Sequence, residues 1–569
     1  MDRRHRSASR ARKSQADSDR PEPTPNATLG PLATPAPDQT PSVVATLRPA
    51  GERAAAPVTE IELKLSIAPE DARRLGRVPS VRAASRGRAR TRTLHSVYFD
   101  TPDFRLQREG VALRLRRDGT RWTQTLKSGG RVQGGLHLRE ELEVAVPAQI
   151  LNYHALAASG VSPVFADPGL RASLQPVFTT GFRRTLRRLE PAPGTHVELC
   201  IDMGEISAGS ATVLISEVEL ELQAGRPEAL LDLAQALLAD IPLRLEPASK
   251  AQRGYALAAG TARAPVKAEA PTLDPAMTVT EAFGAVVFGC LAHLQANERG
   301  VLQDDDAEYL HQARVALRRL RSAFSVFSRG FPRPAVEELI GELRWLGGKL
   351  GPARDWDVFA TETLPGILSA FPGDSGLHAL LERTTESRAA ADAVARNAVR
   401  SNRYTSLLLS LIATFYRQPW ASLEDEAAAA ERVRPLPDFA AAVLARRHRK
   451  VVKRGRELAD LDAQGLHELR IDIKKARYAA EFFAALYDKK MVRDYTAALA
   501  GLQTLLGGLN DAATVERLCE ELRDQREDPD GRFAEGIGLV RGWAGAMARA
   551  HLEQLPPAWE AFREVRRFC

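Results

Sequence analysis

The sequence predicts an α+β multidomain protein, with an antiparallel β domain followed by an all-α domain. Three observations carry that reading. Between Glu60 and Gln223 short runs alternate charged with apolar residues, the period of a half-buried strand. From residue 275 onward Ala, Leu, Arg and Glu recur at helical spacing with few β runs. Within that helical half one segment occurs twice.

The chain has 569 residues, 44% of them apolar and 27% charged, which supports a sizeable core. At roughly 150 residues per domain, two to four domains are expected. A net charge of +7, from 79 Lys+Arg against 72 Asp+Glu, is too small over this length to imply nucleic-acid binding. Cys200, Cys290, Cys519 and Cys569 form no CxxC pair, so neither a disulfide framework nor a zinc knuckle is indicated. The apolar run Ala282–Leu294 is shorter than the roughly 20 residues of a membrane span and contains His293. The basic start is followed by Asp17, Asp19, Glu22 and a Pro-rich run, not by an apolar region. The expectation is a cytoplasmic protein without a membrane partner, able to associate with polyphosphate granules.

Residues 1–57, rich in Pro, Ala, Ser, Thr and Arg, read as a disordered tail. The β domain follows over 58–260, a linker over 261–274 and the helical domain over 275–569.

On the first strand Glu60, Glu62 and Lys64 share one face, with Ile61, Leu63 and Leu65 on the other. Glu217, Glu219 and Glu221 alternate in the same way with Val218, Leu220 and Leu222. Arg114 and Arg116 alternate with Leu113 and Leu115, and Glu141 and Glu143 with Leu142 and Val144. A solvated strand face explains any one of these. Several like-charged rows together point to a shared cavity, where carboxylates hold a hard cation such as Mg²⁺ or Mn²⁺ and bases hold phosphate oxygens. Phosphoryl transfer at such a site rests on positioning and charge neutralisation, so no Ser, Cys or His nucleophile is needed.

The row Glu60-Ile61-Glu62-Leu63-Lys64 resembles the ExExK signature of CYTH domains, the triphosphate tunnel metalloenzymes. The runs at 96–117, 122–130, 178–184, 197–206, 216–222 and 249–255 fit the family in order. The resemblance covers about 58–260 and implies an eight-stranded antiparallel tunnel that cleaves the terminal phosphate of triphosphates with Mg²⁺ or Mn²⁺. It implies metal-binding acids at Glu60, Glu62, Glu217 and Glu219, with Glu221 on the same face. Triphosphate-binding bases are implied at Lys64, Arg114, Arg116, Lys127, Arg183 and Lys250. The resemblance likewise implies Glu60, Glu62, Lys64 and Asp202 as the catalytic set, Asp202 as a tunnel acid that positions metal or water. Arg139 and Glu141 match a further charged strand.

In the helical half His311, Arg314, Arg318 and Arg321 fall at i, i+3, i+7 and i+10, a basic stripe on one helix face. His467, Arg470, Lys474 and Arg477 repeat it at an offset of 467 − 311 = 156, which also carries Leu350-Gly351 onto Leu506-Gly507 and Arg354-Asp355 onto Asn510-Asp511. A solvated or ion-paired face is the ordinary reading of one stripe. Two brought together by pseudo-twofold packing make a groove for an extended polyanion. Little aromatic interleaving means base stacking is not indicated. Asp355, Asp357 and Asp511 are candidates for orienting the bases. This half is similar to the CHAD domain, which implies two pseudo-symmetric four-helix bundles and inorganic polyphosphate binding. Asn510 in place of Arg354 makes the two copies unequal.

The reading that unites both halves is a metal-dependent inorganic triphosphatase, converting tripolyphosphate to pyrophosphate and phosphate, with a polyphosphate-binding helical domain. The alternatives are a non-catalytic polyphosphate binder or granule adaptor, and a thiamine triphosphatase or adenylyl cyclase using the same tunnel.

Overall fold

The computed structural model describes residues 58–158, 162–524 and 531–565. The expected disordered tail, residues 1–57, and Cys569 lie outside the described residues.

Eight strands form the first domain: β1 (Val58–Ser66), β2 (Ser85–Asp100), β3 (Ala112–Asp118), β4 (Arg121–Gln133), β5 (Leu136–Val146), β6 (Gln175–Leu189), β7 (His196–Ala208) and β8 (Ala211–Ala224). Their order is β5-β4-β3-β2-β6-β7-β8-β1, and β1 also pairs with β5, so the sheet closes into an antiparallel barrel. A two-residue strand, β9 (Arg244–Leu245), pairs with the end of β1 past its pairing with β5, on the edge opposite β8. Closure leaves no free edge on the eight strands and sends alternate side chains inward.

The usual sense of burial is reversed, because the barrel's apolar residues mostly face outward. Leu63, Leu65, Leu199 and Leu220 pack under helix α1 (Glu228–Asp240), which contributes Leu230, Ala234 and Leu237. On the opposite side Leu113, Leu115, Leu126 and Leu142 pack beneath Leu156, Phe165 and Leu170. Part of the interior is apolar, where Tyr98, Phe178 and Phe182 meet Tyr255 of α2 (Lys250–Ala258). A Ser249–Gln252 capping box starts α2. Gly254 lets it seat, since a Cβ there would lie 2.1 Å from Phe178 Cε2. This seat carries Lys250 into the barrel.

The helical domain contains α3 (Val279–Gln303), α4 (Ala307–Val326), α5 (Glu337–Val358) and α6 (Ser375–Arg400), then α7 (Asn402–Arg417). A second set follows: α8 (Leu436–Arg454), α9 (Ala463–Phe482), α10 (Lys489–Asp524) and α11 (Arg532–Glu564). The internal repeat is thus two four-helix units with α7 between them. Helices α4 and α9 are both 20 residues long, and an aspartate caps each, Asp306 and Asp462. Helix α3 extends past the apolar run at its centre and is long and apolar enough to cross a membrane by length and composition. Of that window 56% is buried, with Phe283 ringed by Phe324, Phe327, Phe331 and Phe415.

The two domains share one apolar core. The β4–β5 turn presses Gly134, at φ +65°, onto the helices, and a Cβ there would stand 2.5 Å from Ile412 Cδ1 and 2.8 Å from Leu291 Cδ2. Gln295 Nε2 donates to Gly134 O at 3.1 Å, and Tyr416 Oη to Gln133 Oε1 at 2.8 Å. Arg244 of β9 pairs with buried Glu298 of α3, which also accepts from Tyr404 Oη at 3.0 Å. The segment expected as a linker is strapped to α3, where Val266 N donates to Asn297 Oδ1 at 3.0 Å and Asn297 Nδ2 donates back to Val266 O at 2.9 Å.

Candidate functional site

The inward faces of the barrel strands carry its charges. Glu60, Glu62, Lys64, Arg114, Arg116, Lys127, Arg139, Glu141, Glu219, Glu221 and Lys250 line one cavity of about 220 Å³. Strand register produces the grouping: Glu62 stands opposite Glu221, Lys64 opposite Glu219 and Lys127 opposite Glu141. Lys64 Nζ lies 2.5 Å from Glu219 Oε1 and 2.7 Å from Glu62 Oε2, and Lys127 Nζ lies 2.6 Å from Glu60 Oε2 and 3.0 Å from Glu141 Oε2. Burial opposes the charge on Lys64, but Glu219 and Glu62 outweigh it and hold the ammonium well above its ordinary pKa.

Arg116, Arg139 and Glu221 line the cavity without an ion-pair partner among the described residues. Arg116 donates only to Ser96 Oγ, at 3.4 Å, and has no carboxylate partner among the described residues. Burial, then Arg114 and Arg184, pull its pKa down to about 10. Conversely burial, then Glu60, Glu62 and Glu198, push the Glu221 carboxyl up to about 7. Arg116 therefore lacks an anion and Glu221 lacks a cation. A bound anion and a divalent cation would supply both.

The donor chemistry fits such a cation, because every acid in the set offers hard oxygen ligands. Asp202, Glu217 and Glu219 are buried with ligand atoms within 4.8 Å of one another. The protein's own cations already fill that triad. Lys250 Nζ contacts Glu217 and lies 2.6 Å from Asp202 Oδ2 and 3.0 Å from Glu219 Oε1, while Arg253 also pairs with Glu217. Burial raises Asp202, but Lys250 and Arg184 outweigh it and hold the carboxyl below the usual range. Asp202 and Glu217 thus lie off the cavity wall, and the acids that line it are Glu60, Glu62, Glu141, Glu143, Glu198, Glu219 and Glu221.

The structure corrects the expectation for Arg183. Phe182 pairs in register with buried Leu94 and faces inward, so Arg183 points outward and is exposed. Arg184 enters the tunnel instead and lines the cavity. Sequence alone gave no way to choose between two adjacent arginines without the strand's register. It also passed over Arg253, Tyr98 and His137. Period-2 alternation back from Glu141 and Arg139 reaches His137, which is fully buried opposite Glu62. Burial, then Lys64, pull its imidazole down to about 3, so it is neutral.

Helices α4 and α9 bring their basic stripes together across a second cavity, of about 760 Å³. His311, Arg314 and Arg318 line it from α4, and Arg470 and Arg477 from α9, joined by Arg319 and Arg354. Lys474 stands among Arg470, Arg318 and Arg314. Burial, then these arginines, pull it down to about 7. The cleft opens toward the start of α4 and the end of α9. Arg321 and His467, at the opposite ends, are exposed and lie outside it, His467 beside an apolar hollow with Leu506 and Leu555.

Some cleft bases have partners: Arg354 Nη2 with Glu362 Oε1 at 2.8 Å, Arg319 Nη1 with Glu481 Oε2 at 2.8 Å, and Arg314 Nη2 with Asp355 Oδ1 at 3.8 Å. A π-helical turn at Phe359–Thr363 accompanies the return of Glu362 to Arg354. In the second copy Arg470 Nη1 donates to Asn510 Oδ1 at 3.0 Å, so the two repeats are unequal at this position. Asp511 lines the cleft, whereas Asp357 pairs with Arg388. Arg318 and Lys474 have no carboxylate within ion-pair distance among the described residues.

A closed β tunnel with acids and bases on its inner wall, joined to a duplicated helical unit with a basic cleft, defines a two-domain class of protein. The CYTH domain model matches residues 59–255 and the CHAD domain model residues 285–520, and the chain belongs to both families, one in each half. It is similar to the inorganic triphosphatase of Haemophilus influenzae, 35% identical over 164 residues. That match covers 29% of this chain and 46% of the relative, so the chain spans about half of that protein's length. An uncharacterized Mycobacterium tuberculosis protein is 28% identical over 497 residues, 82% of this chain and 89% of that one. The crystal structure of the CHAD domain from the plant Ricinus communis aligns at 34% identity and a TM-score of 0.48, covering 54% of this chain and 99% of that one.

Proposed function

We infer that the chain is a metal-dependent inorganic triphosphatase, hydrolysing tripolyphosphate to pyrophosphate and phosphate, and that its helical domain binds inorganic polyphosphate. The observation that carries the reading is the tunnel's incomplete neutralisation, with Arg116 lacking a carboxylate partner and Glu221 standing among Glu60, Glu62 and Glu198. A bound divalent cation, Mg²⁺ or Mn²⁺, supplies neutralisation of phosphate charge beside Glu60, Glu62, Glu219 and Glu221.

The remaining roles belong to the chain. Arg114, Arg116, Lys127 and Arg184 grip phosphate oxygens, Arg through its planar fork. Lys64 and Lys250 hold the acids in place. Closure of the barrel limits bulk water around the reacting phosphorus, where fixed charges act strongly. The cavity volume of about 220 Å³ falls below the roughly 300–1,000 Å³ of pockets for drug-sized ligands. A compact inorganic anion fits that volume better than a nucleotide, which favours tripolyphosphate over ATP.

For the cleft, unpartnered Arg318 and Lys474 support a polyanion ligand. Phe359 and Tyr478 in its wall are buried and present no stacking platform, which favours polyphosphate over single-stranded nucleic acid.

Phosphate release from tripolyphosphate, ATP, thiamine triphosphate and long-chain polyphosphate, with Mg²⁺ or Mn²⁺ and with chelator, tests the reading. Metal-dependent release favouring tripolyphosphate is expected. No release from any of them, with polyphosphate still bound, would make the chain a polyphosphate receptor, and cyclic AMP from ATP would make it a cyclase.

A further inference from the structure

The inner face of β2 does not end at the cavity. Arg92 lines the tunnel, and the same strand carries Arg90, Arg88 and Arg86 onward into solvent, all exposed. Register settles the direction of Arg92, Arg90 and Arg86. Arg92 is the cross-strand partner of Arg184, Arg90 of Leu186 and Arg86 of Arg188, and both Arg184 and Leu186 line the cavity. Thr91 and Thr185 mark the opposite face, their hydroxyls 3.2 Å apart. Between Arg86 and Arg90 the register shifts at Gly87, φ +74°, a bulge that carries Arg88.

Like charges along one strand face and across a pair repel one another, and Arg86 opposite Arg188 is such a pair. Acids relieve part of this. Arg86 pairs with Glu190 at 3.0 Å and Arg92 with Asp118 at 2.9 Å. Arg88 and Arg90 have no acid partner among the described residues. From Arg86 to Arg92 the strand runs alongside Arg188 to Arg184, four residues or roughly 13 Å at about 3.3 Å per residue, long enough to accompany several phosphate units. The segment 85–93 contains no aromatic residue, so it offers phosphate contacts without base stacking.

We propose that Arg86, Arg88, Arg90 and Arg92 form an extension of the tunnel that holds the tail of an inorganic polyphosphate longer than three units, so that the enzyme trims chain ends. This rests on the triphosphatase reading of the tunnel. In each step one water is consumed. Its oxygen bonds to the terminal phosphorus, the terminal P–O–P bond breaks, orthophosphate departs and the chain leaves one unit shorter, with protons shared between the products and solvent according to pH.

The test compares the full chain with its R88E/R90E variant on tripolyphosphate and on a size-fractionated medium-chain polyphosphate. Both proteins carry R318E/K474E, so that the helical cleft does not capture the longer chain. Loss of two charge-assisted contacts should raise the KM for the longer chain about tenfold or more while the tripolyphosphate KM and the unfolding midpoint hold. R88K/R90K should recover part of the loss. Equal losses on both substrates, no loss on either, or no release from the longer chain by the parent overturn the proposal while tripolyphosphate turnover survives. So does an RNA oligonucleotide that competes as well as polyphosphate for the parent but not for R88E/R90E. If the unmodified chain does not hydrolyse tripolyphosphate, the triphosphatase reading fails and the extension falls with it.

Discussion

Arg184 holds Asp202 with both arms of its guanidinium inside the tunnel, Nε–Oδ1 2.8 Å and Nη2–Oδ2 2.6 Å, and also reaches Glu219. Arg183, one residue earlier, is exposed on the barrel's outer face. Arg184→Ala leaves Asp202 fully buried with one cation fewer, at a cost of about 3 kcal/mol in urea unfolding. It should also depress turnover, whereas Arg183→Ala should stay within about 0.5 kcal/mol with activity intact. Equal effects of the two would contradict the observed register.

Glu60 and Glu62 face the open cavity, so Glu60→Ala and Glu62→Ala should each lower metal-supported phosphate release by roughly a hundredfold or more, the scale of losing a key electrostatic group. The circular dichroism of the fold should not change. Full activity in both variants would sink the triphosphatase assignment.

Lys474 predicts a pH dependence with a definite sign. Its pKa in the free protein is about 7, against an ordinary 10.5, because of burial first and then Arg470, Arg318 and Arg314, with Asp511 opposing them. A bound polyanion raises that pKa, so above pH 7 binding takes up a proton. Polyphosphate affinity should therefore fall as pH rises above 7, by up to about tenfold per unit for one proton. The unbound fold should respond oppositely. The unfolded chain binds the extra proton between about 7 and 10.5, so this group adds stability as pH rises through that window. Lys474→Arg, which stays charged, should flatten the binding profile between pH 7 and 8.5 in titration calorimetry, and an unchanged slope would assign the effect elsewhere.

Gly134 couples the domains. Gly134→Val places side-chain atoms where Ile412 and Leu291 stand and strains a left-handed backbone position. We expect a loss of about 1–3 kcal/mol and, in calorimetry, two separated transitions in place of a shared one. A single unshifted transition would mean that the shared core does not link the two unfolding events.

Much of this protein was legible before its structure. Alternation in Glu60–Lys64 and Glu217–Glu221 marks strands with one charged face, because a strand's side chains have a period of two residues whatever lies around them. The duplicated stripe at 311–321 and 467–477 marks two copies of one helical unit, and α4 and α9 realise it with matched lengths and caps. What remained hidden depended on contacts between distant segments. Arg183 and Arg184 are the same residue type, and only pairing of β6 with β2 and β7 assigns one to each face. Glu217 and Glu221 share a face in the sequence, yet Lys250, delivered by α2, seals Glu217 and leaves Glu221 open.

The sequence by itself determined the order of the two domains, the charged inner faces and the basic stripes, since local periodicity alone dictates which side chains share a face. Tertiary structure decided which of those charges are spent on one another and which remain available to a ligand. Neutralisation depends on separations of a few ångströms between residues far apart in the chain, as where Lys250 meets Asp202 but no acid among the described residues meets Arg90, and only the closed barrel and the crossing of α4 with α9 set those distances.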